Sequence, residues 1–129
     1  ARKTYREERQ VKLVVKIKFK NREQTEFISV HEVNLNGKTH RDMIKEARKK
    51  GEFDVPYHYL VHDTGSIETG RNEKAVGGRS FPSYDSAVFI LCDLNGHDRM
   101  TDAQGAALEV LIEQLRVRFP TVKGVLRTF

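Results

Sequence analysis

The stretch Val55-Pro56-Tyr57-His58-Tyr59-Leu60-Val61-His62-Asp63-Thr64-Gly65-Ser66-Ile67-Glu68-Thr69-Gly70-Arg71 decides the fold. Residues 57–61 are aromatic, branched and apolar enough for a strand. Asp63-Thr64-Gly65 supplies a turn, with Gly65 free to take positive φ. Ser66 to Thr69 alternates again and Gly70 ends the second strand. Tyr57 and His58 begin this hairpin on opposite faces. A hairpin needs a larger sheet to be stable, so the flanking sequence must supply more strands.

Downstream, Asn72 to Tyr84 reads as a long loop with Gly77-Gly78 and Pro82, a length often tied to function. Ser86 to Leu94 is the most apolar run and is expected at the centre of the sheet. It contains the single cysteine, Cys92, expected to be a buried structural thiol in a reducing compartment. Asn95 to Asp98 is a turn in which His97 is expected to be solvated. Thr101 to Phe119 is the clearest helix, with Thr101 and Gln104 as a capping box. Leu108, Leu111, Ile112, Leu115 and Phe119 repeat at the spacing of one buried face. Pro120 stops it, and Val122 to Leu126 would add a last strand.

Upstream, Glu26 to Val33 reads as a strand with Phe27, Ser29, His31 and Val33 on one face and Ile28 and Val30 on the other. Asn36-Gly37 marks a loop, and Thr39 with Asp42 resembles a capping box for a helix ending at Lys50, with Gly51 beyond it. Met43, Ile44 and Ala47 form its apolar stripe, and Arg48, Lys49 and Lys50 crowd its last turn, where cations suit the helix dipole. Val11 to Phe19 alternates apolar residues with Lys12, Lys16 and Lys18, giving a strand with a lysine face. Strands mixed with two helices predict an α/β domain: a mixed central sheet of about five to six strands flanked by helices.

The 129 residues fit one domain, with 32% charged and 38% hydrophobic residues. No apolar run is long enough for a membrane-spanning helix, and the charged start shows no signal-peptide pattern. The net charge of +5 is uneven. Residues 1–20 hold eight Lys or Arg against Glu7 and Glu8, while residues 21–129 hold 15 basic and 16 acidic residues. Basic character thus belongs to a 1–20 extension and not to the 21–129 body. The lysine face has no interleaved aromatics, so nucleic acid is not the expected partner.

The Tyr-His-aromatic sequence at Tyr57-His58-Tyr59, followed by Asp63-Thr64-Gly65-Ser66-Ile67-Glu68-Thr69-Gly70-Arg71, resembles the zinc-dependent N-acetylmuramoyl-L-alanine amidases. These share the amidase_2 and peptidoglycan-recognition-protein fold, and the likeness is greatest to the small podovirus-type phage lysozymes. Ile17 to Glu23, Phe27 to His31, Asp54 to Tyr59, Asn72 to Gly77 and Val122 to Arg127 carry the rest of the likeness. The resemblance implies a zinc-bound water that cleaves an amide. It places His31 on the first zinc ligand and Tyr57 on the assisting tyrosine. The family's second histidine would follow Val125-Leu126-Arg127, where this sequence reads Thr128-Phe129, and its third ligand finds no match. After Gly77, where the family has a histidine, the sequence reads Gly78-Arg79-Ser80.

The expectation is therefore an amidase-like protein without a cofactor that binds a partner and does not cut. Its partner would be a cell-wall peptide or an acidic protein surface; relatives of this type also inhibit RNA polymerase by binding it. Arg48, Lys49, Lys50, Arg79, Lys12, Lys16 and Lys18 are the candidate binding residues. The alternative is an active zinc N-acetylmuramoyl-L-alanine amidase with a non-standard or truncated metal site, with His31 as ligand and Tyr57 as assistant. Either is expected in the cytoplasm of a phage-infected bacterium.

Overall fold

The computed structural model describes residues 19–52 and 54–128. The expected Val11–Phe19 strand, with Lys12, Lys16 and Lys18, falls outside them except for its last residue.

Seven elements follow one another: β1 (Phe27–Val33), α1 (His40–Lys49), β2 (Tyr59–Val61), β3 (Ile67–Thr69), β4 (Ala87–Asp93), α2 (Asp102–Arg118) and β5 (Gly124–Thr128). The strands form one five-stranded sheet in the order β3-β2-β4-β1-β5. β1 pairs parallel with both β4 and β5, β2 pairs parallel with β4, and β2 with β3 closes the antiparallel hairpin. The α/β class and the mixed sheet match the sequence reading.

Burial explains the order. All seven residues of β4 are buried, as a strand with helices on both faces requires. On one face Ile28, Val30, Val88, Ile90 and Cys92 pack under Leu108, Leu111, Ile112 and Leu115 of α2. On the other, Leu60, Phe89 and Leu91 pack with Val55 and Tyr57 under Met43 and Ile44 of α1. The alternation read in residues 27–33 is what divides β1 between these two layers. Burial also pushes the Cys92 thiol up to about 12.

Both helix starts are capped. Thr39 and Asp42 exchange side chain–backbone hydrogen bonds at 2.9 and 3.1 Å, the full capping box. At α2 the box is only half made, a correction to the sequence reading. Thr101 Oγ1 accepts from the Gln104 N–H at 3.1 Å, but the Gln104 amide turns into the core. There its Nε2 donates to the carbonyls of Val61 and Asp93 at 3.0 and 2.8 Å, tying α2 to the ends of β2 and β4. A buried carbonyl leaves a deeper deficit than an exposed cap, so the core contact wins.

Other boundaries shift modestly. The hairpin strands are shorter than read, and the last strand is Gly124–Thr128 and not 122–126. His97 is not simply solvated: its Nε2 lies 3.2 Å from Asp63 Oδ2. Asp63 also accepts from the Asn95 amide, so the two turns at this end of the sheet are joined.

Gly70 is required by close approach. A Cβ there would overlap the Tyr57 carbonyl oxygen, which accepts from the Arg71 N–H at 2.9 Å. Gly70→Ala is expected to destabilise the fold by about 2 kcal/mol or more, because backbone and not a flexible side chain must yield. Urea unfolding of the two proteins measures it; equal midpoints would remove this account of Gly70.

Candidate functional site on the alpha1 face of the sheet

His31 stands near the C-terminal end of β1, opposite Leu91 of β4 and Thr128 of β5. Its Nε2 is 2.9 Å from Ser29 Oγ, two residues back on the same face. Phe81, from the long loop, stacks on the imidazole with ring centres 5.1 Å apart. Phe81 in turn stacks on Phe89 at 4.5 Å. Burial lowers the His31 pKa, so the ring is neutral at neutral pH.

Tyr57 lies on the same side of the sheet, beyond β4. Two strand spacings separate the lines of β1 and β2, about 10 Å. The Tyr57 ring is fully buried. Its hydroxyl meets Nδ1 of His40, the first residue of α1, at 2.8 Å. Burial, with the charges of Glu68 and Asp54 adding, raises the Tyr57 pKa well above that of a free tyrosine. Tyr57 is therefore a permanent hydroxyl donor and not a base.

Two buried polar side chains hold this face in place. Arg71 is buried, with Nε donating to the Val55 carbonyl at 2.8 Å. Its Nη1 reaches the carbonyls of Val76 and Gly77 at 3.2 and 3.1 Å. The guanidinium also lies over the Phe19 ring, 3.8 Å from its centre. His58, fully buried, accepts from the Phe89 N–H at Nδ1 (2.9 Å). Its other nitrogen is 2.7 Å from the Ala75 carbonyl, which fixes the proton on Nε2. Tyr57 and His58 do face opposite ways, as read; His58 is a strut, not a ligand.

The sequence-derived binding residues are dispersed. Arg48, Lys49 and Lys50 are exposed at the end of α1, and Arg79 is exposed in the long loop. Lys12, Lys16 and Lys18 lie outside the described residues. Sequence reading missed His40 and Phe81. His40 sits 17 positions from Tyr57 and Phe81 lies in an irregular loop, so no periodicity marks either.

This sheet order, with one helix on each face and an aromatic-covered histidine at the end of β1, defines the amidase and peptidoglycan-recognition fold. Among solved structures, the N-acetylmuramoyl-L-alanine amidase LysC from Clostridium intestinale superposes with TM-score 0.72 at 23% identity, covering 81% of this chain and 70% of its own. Drosophila peptidoglycan recognition protein SD superposes with TM-score 0.68 at 20% identity, covering 84% and 72%. No family model matches the sequence. The endolysin of Klebsiella phage KP32 is 30% identical over 117 residues, which cover 82% of this chain and 76% of that protein. The endolysin of Escherichia phage T7 is 29% identical over 119 residues, with the same coverage. The chain belongs to the phage endolysin family.

The resemblance to zinc amidases implies a metal at His31. Among the described residues no group of three His, Cys, Asp or Glu side chains is placed to hold one. A single imidazole does not hold a catalytic zinc, so the described donors do not fit the ion.

The buried His58 makes stability pH-dependent. Burial takes its pKa from 6.5 down to about 4. Between those values the unfolded chain binds a proton that the folded chain refuses, so stability falls as pH drops from 6.5 towards 4 and then levels for this group. The contribution is on the order of 3 kcal/mol. Urea midpoints measured from pH 7 to 4, beside an NMR titration of the His58 ring, test it. A ring that titrates near 6.5 in the folded protein rules it out.

Proposed function

We propose that this domain recognises the peptide stem of peptidoglycan on the face formed by His31, Phe81 and Tyr57. The observation that carries the reading is the position of His31 at the carboxyl edge of the parallel strands, beneath the partly exposed Phe81. Open α/β sheets place their ligands at that edge. The aromatic stack offers an apolar platform for a peptide or sugar face. Support comes from the endolysin relatives. It comes also from a neighbouring structure, a complex of peptidoglycan recognition proteins LCa and LCx with tracheal cytotoxin bound, which matches with TM-score 0.70 at 14% identity.

Binding of the peptide stem is the activity proposed for this face. The second reading is hydrolysis of the N-acetylmuramoyl-L-alanine amide, favoured by membership of the endolysin family. Under either reading Tyr57 supplies a neutral hydroxyl donor, which must part from His40 to reach a ligand. An acidic protein partner at Arg48, Lys49, Lys50 and Arg79 is a further proposal, supported only by their exposed charge.

Calorimetric titration with a muramyl peptide is expected to show saturable binding, weakened about tenfold in Phe81→Ala through loss of an aromatic contact. A wild-type protein that binds no muramyl peptide sinks the reading. Purified sacculi separate the two activities: new alanine amino termini identify hydrolysis. Metal content of the wild type and of His31→Ala shows whether zinc enters at this residue.

A further inference from the structure

The Tyr57 hydroxyl can serve a ligand only after its contact with His40 is undone, and His40 is the partner free to move. Tyr57 is fully buried in one cluster with Val55, Leu60, Phe89 and Leu91, so its ring has no room to swing. His40 is half-buried and opens α1, one residue after the Thr39 cap. The helix is anchored on the same cluster through Met43 and Ile44, so the imidazole and not the helix can turn away. The two rings meet edge-on, with centres 5.8 Å apart and planes at 65°. His40 Nδ1 lies 2.8 Å from the Tyr57 hydroxyl oxygen. A ligand acceptor can therefore take the hydroxyl hydrogen only where the imidazole now sits.

The direction of this bond follows from what Tyr57 needs. A phenol has one hydrogen, and burial keeps it on the oxygen, with the charges of Glu68 and Asp54 adding to the effect. His40 Nδ1 is the acceptor that the described residues bring to it. If Nδ1 carried the ring proton, the tyrosine hydrogen would stay buried without an acceptor, which is the less stable state. Neutral His40 therefore carries its proton on Nε2 and takes the Tyr57 hydrogen at Nδ1. Once the imidazole gains a second proton, both its nitrogens are donors and Nδ1 no longer accepts. The charged groups about the pair do not replace it. On α1, Arg41 is a donor and Asp42 is tied to the Thr39 N–H. From the strand side, Glu68 is engaged by His62 and Asp54 by the Val55 N–H.

We propose that His40 is a positioning residue that gates the Tyr57 hydroxyl: neutral, it holds the hydroxyl hydrogen, and protonated it releases that hydrogen to the peptide-stem face. The proposal rests on the stem-recognition reading of that face. The group that receives the hydrogen is an acceptor of the stem, a carbonyl or carboxylate oxygen. A ligand that claims the hydrogen favours the protonated ring, so ligand binding and His40 protonation promote each other equally.

The test follows the ring titrations of His40 and His31 and the exchange of the Tyr57 hydroxyl proton by NMR, with the β4 amides as the reference for opening of the sheet. Calorimetric titration with a muramyl peptide runs beside it, over the pH range in which the chain stays folded. Hydroxyl exchange is expected to quicken as His40, and not His31, gains its proton, and muramyl-peptide affinity to rise about tenfold over the same interval. His40→Asn puts an amide oxygen, which does not titrate, near the place of Nδ1; it should keep exchange slow and binding weak at every pH. His40→Ala removes the acceptor and should bind at every pH with the affinity the wild type shows in acid. A His40 that only supports the fold would shift both variants alike and leave the pH profile in place, and that result overturns the proposal. Hydroxyl exchange that ignores the His40 titration overturns it too. A wild type that binds no muramyl peptide, while hydroxyl exchange still follows His40, upholds the gate and removes the stem reading instead.

Discussion

The Arg71 guanidinium bonded to three backbone carbonyls is the contact on which the candidate face depends. It pins Val55, just before Tyr57, to Val76 and Gly77, where the long loop turns back towards Phe81. A loop of that length would otherwise cross the sheet without fixed register. Arginine suits the task because its planar fork reaches several acceptors at once, and lysine would not substitute. Burial lowers the Arg71 pKa, with the charges of Glu52 and Asp54 opposing the shift. Gly70 is the companion constraint: the chain passes too near the Tyr57 carbonyl for any side chain.

The same logic explains His58. Its ring joins β4, through Phe89, to the Ala75 end of the loop on the opposite side of the strand from Tyr57. Two adjacent residues thus divide the work: Tyr57 faces α1 and the candidate site, and His58 locks the loop behind it. A Tyr-His pair in sequence looks like paired chemistry. In the structure one member is a hydroxyl held by His40, and the other is a neutral strut.

Much of the fold was legible in the sequence, because the signals were local. The two-residue period of β1, the continuous apolar run of β4, the Leu108–Leu115 stripe and the Thr39–Asp42 cap all depend on neighbours along the chain. The site was legible only where a motif marked it, at His31 and Tyr57. The places of His40 and Phe81 arise from contacts between distant segments, and no spacing rule reaches across them. The Gln104 reversal has the same origin. The local cap asks the Gln104 side chain to accept from the Thr101 N–H, while two carbonyls at the ends of β2 and β4 take its Nε2 as donor, and only the assembled sheet brings those carbonyls within reach.

Cys92 lies near the end of β4, the central strand, fully buried on the α2 side of the sheet and with its thiol held in the unionised form at ordinary pH. A thiol reacts through its thiolate and must be reached to react. An alkylating reagent can therefore modify this chain only when the central strand is exposed, which requires the sheet itself to open. The single cysteine is in effect a clock for global unfolding: its labelling rate reads how often the molecule comes apart. While the domain stays folded, the same burial shields this thiol from oxidants in its surroundings.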